Sequence, residues 1–85
     1  MIKEVEKMQK DVIIYTTPTC PFCKMVRKFL DDNSIEYEEK DISIDKDAQG
    51  EVIEKADMMV APVIDIDGEI IIGYDENEMR KELEL

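Results

Sequence analysis

The chain has 85 residues, 44% of them hydrophobic and 39% charged, with 22 acidic against 11 basic residues for a net charge of −11. This length suits one domain, and the composition is that of a packed globular protein rather than a disordered one. No run approaches the roughly 18 apolar residues of a membrane span, and the negative charge opposes phosphate backbones and anionic lipid surfaces. Neither nucleic acid nor membrane is therefore expected as a partner.

Residues 1–10 read as a charged lead-in. Ile2, Val5 and Met8 recur every third residue, so a short helix is conceivable, though one that short is marginal alone. No apolar block stands there to act as a secretory signal, and the expected location is the cytoplasm. A domain is expected over residues 11–85.

Residues 12–15, Val-Ile-Ile-Tyr, form a β-branched apolar run and predict a strand covered on both faces. A Thr-Thr-Pro-Thr loop follows. From Cys20 the spacing turns helical, with Phe22, Val26, Phe29 and Leu30 three or four apart. Pro21 suits a first helical turn, and Asp32-Asn33-Ser34 closes the helix. Residues 35–42 predict a weaker second strand, whose many charges favour a sheet edge. A second helix carries Ala48, Val52, Ala56 and Met59 on one stripe, locally weakened by Gly50.

Residues 63–66 predict a third strand opened by Pro62. Asp67-Gly68 is a two-residue hairpin turn leading to a fourth strand over 69–73. Asp75, with Glu78 three residues later, starts a last helix in a capping-box arrangement, and Met79 and Leu83 form its apolar stripe. The predicted fold class is α/β in the order β-α-β-α-β-β-α. Strands one and two are expected to be parallel through a crossover helix, and strands three and four antiparallel.

The two cysteines lie in Cys20-Pro21-Phe22-Cys23, and the chain has no histidine. Two cysteines cannot fill a four-ligand zinc site within one chain. A Cys-x-x-Cys after a buried strand and at a helix start fits a redox pair. Unpaired amides at a helix start carry partial positive charge and favour a thiolate at Cys20. Three-residue spacing permits a disulfide, with Cys23 deeper in the helix. Cys20 is therefore assigned as nucleophile and Cys23 as resolving cysteine.

Lys24, Arg27 and Lys28 read as a solvated helix face, or else as charges that stabilise the thiolate or receive an acidic substrate. Met58 and Met59 read as core filler for at least one of them, or as an adaptable rim for protein substrates. Sequence alone favours an ordinary trans bond between Ala61 and Pro62.

Thr17-Pro18-Thr19-Cys20-Pro21-Phe22-Cys23, Val60-Ala61-Pro62-Val63-Ile64 and Gly73-Tyr74-Asp75 together resemble the glutaredoxin family. The likeness runs over residues 11–85 and is nearest to the YruB-like and NrdH-redoxin-like branch. It implies a thioredoxin-like fold, a four-stranded mixed sheet with three helices, and a cis Pro62 facing the cysteines. It also implies thiol–disulfide exchange by Cys20 and Cys23, with Phe22, Val60, Ala61, Pro62, Tyr74 and Asp75 binding substrate. In that scheme Ala61 pairs with an extended substrate or with glutathione, whose γ-glutamyl end meets the Tyr74 amide and the Asp75 carboxylate.

Four departures weaken the glutathione site. Thr17 replaces a basic residue, Val60-Ala61 replaces Thr-Val, Phe22 replaces Tyr, and Gly73-Tyr74 replaces paired glycines. The expected partners are therefore protein or small-molecule disulfides and a thioredoxin-reductase-like or other dithiol donor. No bound cofactor or metal is expected, and the chain is expected to act as a monomer. The alternatives are an iron–sulfur carrier bridged by Cys20 from two chains, and a binding module switched by the disulfide.

Overall fold

The computed structural model describes residues 11–85, so the lead-in around Ile2, Val5 and Met8 lies outside the described residues. Its elements run β1 (Val12–Thr16), α1 (Pro21–Asp32), β2 (Glu38–Asp41), α2 (Lys46–Ala56), β3 (Val63–Ile66), β4 (Glu69–Ile72) and α3 (Glu76–Leu83). The order matches the sequence expectation. The four strands form one sheet ordered β2-β1-β3-β4. β1 and β2 are parallel, whereas β1–β3 and β3–β4 are antiparallel.

Alternation along the central strands sorts the apolar residues onto two faces. Val12 and Ile14 of β1, with Ile64 and Ile66 of β3, pack against Val26, Phe29 and Leu30 of α1 and Met79 of α3. Tyr15 and Val63 point the other way and meet Ala48, Val52 and Ala56 of α2. Two helices thus cover one face and one covers the other. That double cover explains the near-continuous apolar runs of β1 and β3.

Local signals account for most element ends. Asp45 and Asp75 cap α2 and α3 by accepting the N–H groups of Ala48 and Glu78, both at 3.1 Å. The β3–β4 turn places Asp67 at φ 50° and Gly68 at φ 95°, the paired positive φ values of a type I′ hairpin. Asp65 Oδ1 accepts the Gly68 N–H at 2.7 Å and braces the turn.

Several boundaries differ from the sequence reading, and β1 runs on through Thr16 where a loop was expected. β2 starts at Glu38 rather than residue 35, because the Ile35 N–H turns back to the Leu30 carbonyl at 2.9 Å and Ile35 and Tyr37 pack on the core instead of pairing. α2 ends at Ala56, before Met59, because Asp57 adopts a left-handed conformation with φ 61°. β4 stops at Ile72, before Gly73, which turns out of the strand with φ 85°. β2 lies at the sheet edge, as its charges suggest.

Ile64 is fully buried at the centre of the larger core cluster. Ile64→Ala is expected to cost about 2–5 kcal/mol in urea unfolding, combining lost burial with a residual cavity. Gly50 stands exposed within α2, and an added Cβ there meets nothing within 4 Å. Gly50→Ala is expected to raise stability by about 0.5–1 kcal/mol in the same measurement.

Candidate functional site

Strand directions gather three loops at one end of the sheet. β1 finishes at Thr16, and Tyr15 lies opposite Val63 at the start of β3. Val63 in turn lies opposite Ile72 at the end of β4. The segments 17–20, 60–62 and 73–75 therefore emerge side by side. A hydrogen bond from the Gly73 N–H to the Pro62 carbonyl, 2.8 Å, joins the last two. The Ala61–Pro62 bond is cis, as the family resemblance implies and contrary to the trans reading from residue statistics.

Cys20 occupies the N-cap of α1 and Pro21 opens the helix. The Cys23 N–H donates to Cys20 Sγ at 3.2 Å, so the sulfur of Cys20 takes the place that a serine or aspartate oxygen usually fills. Both cysteines are free thiols. They differ in surroundings, since Cys20 is half-buried while Cys23 is fully enclosed.

Burial pushes the Cys23 thiol up to about 12, aided by a hydrogen bond to Cys20 and by the charge Cys20 would carry. A hydrogen bond from the Thr17 backbone N–H and the positive charge of Arg27 act in the opposite direction. Cys23 is therefore a neutral thiol at physiological pH, and only a small fraction is anionic at any moment.

Pro62 is buried, Val60 and Ala61 are half-buried and packed on the α2 side of the sheet, and Tyr74 is half-buried against the α1–α3 side. Asp75 is exposed, and one carboxylate oxygen is already engaged in capping α3. Phe22 is 55% exposed beside the cysteines. Met58 and Met59 are 54% and 50% exposed, so neither fills the core. The early end of α2 turns both outward, which corrects the packing expectation. Beyond Tyr74, a groove of about 390 Å³ runs between α1 and α3 over Met25, Phe29 and Arg80.

The basic residues of α1 divide three ways. Lys24 is exposed, and Lys28 pairs with Asp32 one turn on at 3.2 Å. Arg27 is half-buried and bonded to Glu39 of β2, whose same oxygen accepts the Thr16 hydroxyl at 2.7 Å. Sequence reading did not anticipate that cluster.

It also missed a polar network on the opposite face. Tyr15 donates to Glu51 at 2.7 Å and accepts from Lys55 at 2.7 Å, and Lys55 pairs with Asp65 at 2.6 Å. The available signal was an Asp in the third strand, on the same face as Tyr15, since a buried carboxylate needs a partner. Among the described residues no three His, Cys, Asp or Glu side chains form a metal-binding group, and no helix is long and apolar enough to cross a membrane.

A glutaredoxin family model matches residues 12–71. An uncharacterised glutaredoxin-like 8.6 kDa protein of the rubredoxin operon of Clostridium pasteurianum is 35% identical over 71 residues, 84% of this chain and 95% of that protein. The glutaredoxin-like protein NrdH of Lactococcus lactis is 36% identical over 73 residues, 82% of this chain and 96% of that protein. The crystal structure of the thioredoxin-like protein BC3987 superposes with a TM-score of 0.81 at 33% identity, over 86% of this chain and all of that one, 100%.

The asymmetry between the two sulfurs is directly measurable. Brief iodoacetamide treatment of the native, reduced protein at neutral pH is expected to alkylate Cys20 and spare Cys23, read by peptide mass spectrometry. Neutral pH lies far below the Cys23 value of about 12, so its nucleophilic thiolate is scarce. Unfolding in urea is expected to expose both to labelling.

Proposed function

The chain belongs to the glutaredoxin family, and from that premise we propose that it reduces disulfides by dithiol exchange through Cys20 and Cys23. The observation that carries this reading is the hydrogen bond from the Cys23 amide to the Cys20 sulfur at the start of α1. That sulfur is also the more accessible of the two, half-buried where Cys23 is fully enclosed.

In the first step the Cys20 thiolate attacks one sulfur of the substrate disulfide. The other substrate sulfur leaves as a thiolate and takes a proton from water. The Cys23 thiol then gives up its proton and its sulfur attacks Cys20 Sγ. That step forms the Cys20–Cys23 disulfide and releases the second substrate thiol. Two electrons pass from the cysteine pair to the substrate, and the chain must be recharged by a two-electron donor. No bound cofactor is required, since the sulfurs hold the electrons.

Substrate recognition is assigned to the rim around the pair. An extended segment would lie beside Val60, Ala61 and Pro62 as an added strand, flanked by Phe22 and by Tyr74 and Asp75. The exposed apolar side chains of Phe22, Met25, Met58 and Met59 favour protein disulfides, because flexible thioethers adapt to varied surfaces. Glutathione is a poor fit as donor. Thr17 offers no cation to a carboxylate, Asp75 already caps α3, and the chain carries −11 overall. The donor is assigned to a thioredoxin-reductase-like enzyme or another dithiol, acting on a monomer in the cytoplasm, where such pairs are kept reduced.

Cys20→Ser is expected to abolish reduction of a protein disulfide. Cys23→Ser is expected to stop at one equivalent of a stable mixed disulfide, visible as added mass on Cys20. In a coupled assay, oxidised wild-type protein is expected to draw NADPH through a thioredoxin-type reductase at least tenfold faster than through glutathione and its reductase. Full activity of Cys20→Ser would overturn the exchange mechanism, and efficient glutathione coupling would overturn the donor.

A further inference from the structure

The second half of the exchange poses a problem that the site around Cys20 does not solve. Cys23 is enclosed and strongly disposed to keep its proton, yet it must attack as a thiolate. Two groups favour that thiolate, the Thr17 amide and the Arg27 guanidinium. Arg27 follows Cys23 by four residues, which places it on the same helical face one turn along. Thr17 follows Thr16 directly.

Arg27 and the residue before Thr17 are tied to one atom. Oε2 of Glu39 bonds Arg27 Nη1 and accepts the Thr16 hydroxyl at 2.7 Å. Glu39 lies opposite Ile14 in the parallel β1–β2 register, so its side chain stands on the α1 face of the sheet, beside the end of β1. Thr16 is buried, and the Arg27 and Glu39 side chains are 29% and 34% exposed. A surface pair of this kind contributes little to stability. Its placement between the cysteine helix and the strand that leads into the cysteine loop gives it another use.

We propose that the Arg27–Glu39–Thr16 cluster governs the resolving step, with Arg27 supplying positive charge to the Cys23 sulfur as it becomes anionic and Glu39 positioning Arg27 while partly offsetting that charge. The inference rests on the dithiol reading above and assigns two residues to its second half. Arg27 acts on Cys23 through its field and Glu39 acts through Arg27, so both are positioning residues. The cluster leaves the first attack alone, because Cys20 is served by the amide of Cys23.

The test separates the two halves in time. Reduced protein is mixed by stopped flow with one equivalent of a neutral dipyridyl disulfide, whose pyridinethione product absorbs. Attack by Cys20 releases the first pyridinethione and attack by Cys23 on the mixed disulfide releases the second. Arg27→Gln is expected to leave the first phase unchanged and slow the second by roughly three- to tenfold, the scale of one nearby charge acting on a thiolate. Arg27→Lys restores most of the rate. Glu39→Gln keeps an acceptor for Arg27 and Thr16 but removes the opposing charge, so it is expected to speed the second phase. If wild-type protein releases only one pyridinethione, the dithiol reading itself fails. If it releases two and Arg27→Gln resolves at the wild-type rate, only the cluster's role fails. Slowing by both Arg27→Gln and Glu39→Gln would mark a brace between α1 and β2 and would likewise overturn the proposal.

Discussion

One helix start makes the two sulfurs of this protein unequal, through its enclosure of Cys23 and through the Cys23 backbone amide. That N–H reaches back 3.2 Å to Cys20 Sγ, so a sulfur holds the N-cap. Serine or aspartate would satisfy the same amide and end the matter as capping. One turn along, the same helix carries Cys23 into a fully buried position. Access at the mouth and raised proton affinity within come from one element, and the dithiol exchange proposed above would use both in turn.

The sheet makes that helix start accessible. α1 can begin at the sheet end only because β1 is a central strand delivered there with its C-terminus outward. The antiparallel partner β3 then necessarily begins at the same end, and β4 finishes there. The loops before β3 and after β4 are held together by the Gly73–Pro62 hydrogen bond. Three loops distant in sequence thus form one rim. The core residues on both faces serve the site indirectly, by fixing α1 against β1 and β3.

The element order and the placing of both cysteines at a helix start were legible because both rest on local signals. Val12 to Tyr15 are β-branched or aromatic, Asp67-Gly68 permits few conformations other than a tight hairpin, and Asp75 caps as its spacing suggests. Ends set by tertiary or backbone geometry were not. Nothing local says that Ile35 turns back to Leu30, or that Asp57 takes a left-handed conformation and releases Met58 and Met59 to the surface. Long-range polar partners were equally hidden. Arg27 reads as a solvated helix charge until β2 brings Glu39 to it, and Tyr15 reads as core until α2 brings Glu51 and Lys55. Period and propensity report which face a residue occupies, and they are silent about which charge waits across the gap.

The charge balance gives these long-range pairs their meaning. In a chain with twice as many acids as bases, forming another anion inside the fold is opposed by the average field, although that field is weak at distance in salt. Relief must be local. Five cations, Arg27, Lys28, Lys40, Lys55 and Arg80, form ion pairs among the described residues. Lys40 and Lys55 are committed to the α2 face with Tyr15, Glu51 and Asp65, where they satisfy buried polar groups at a distance from the sulfurs. Lys28 and Arg80 pair within their own helices with Asp32 and Glu76. Arg27 alone of the five bridges from the cysteine helix to another element while acting on Cys23. Within the acidic chain the cation that acts on the enclosed Cys23 is thus the one that also ties α1 to β2, so its charge is held where the average field opposes an anion most directly.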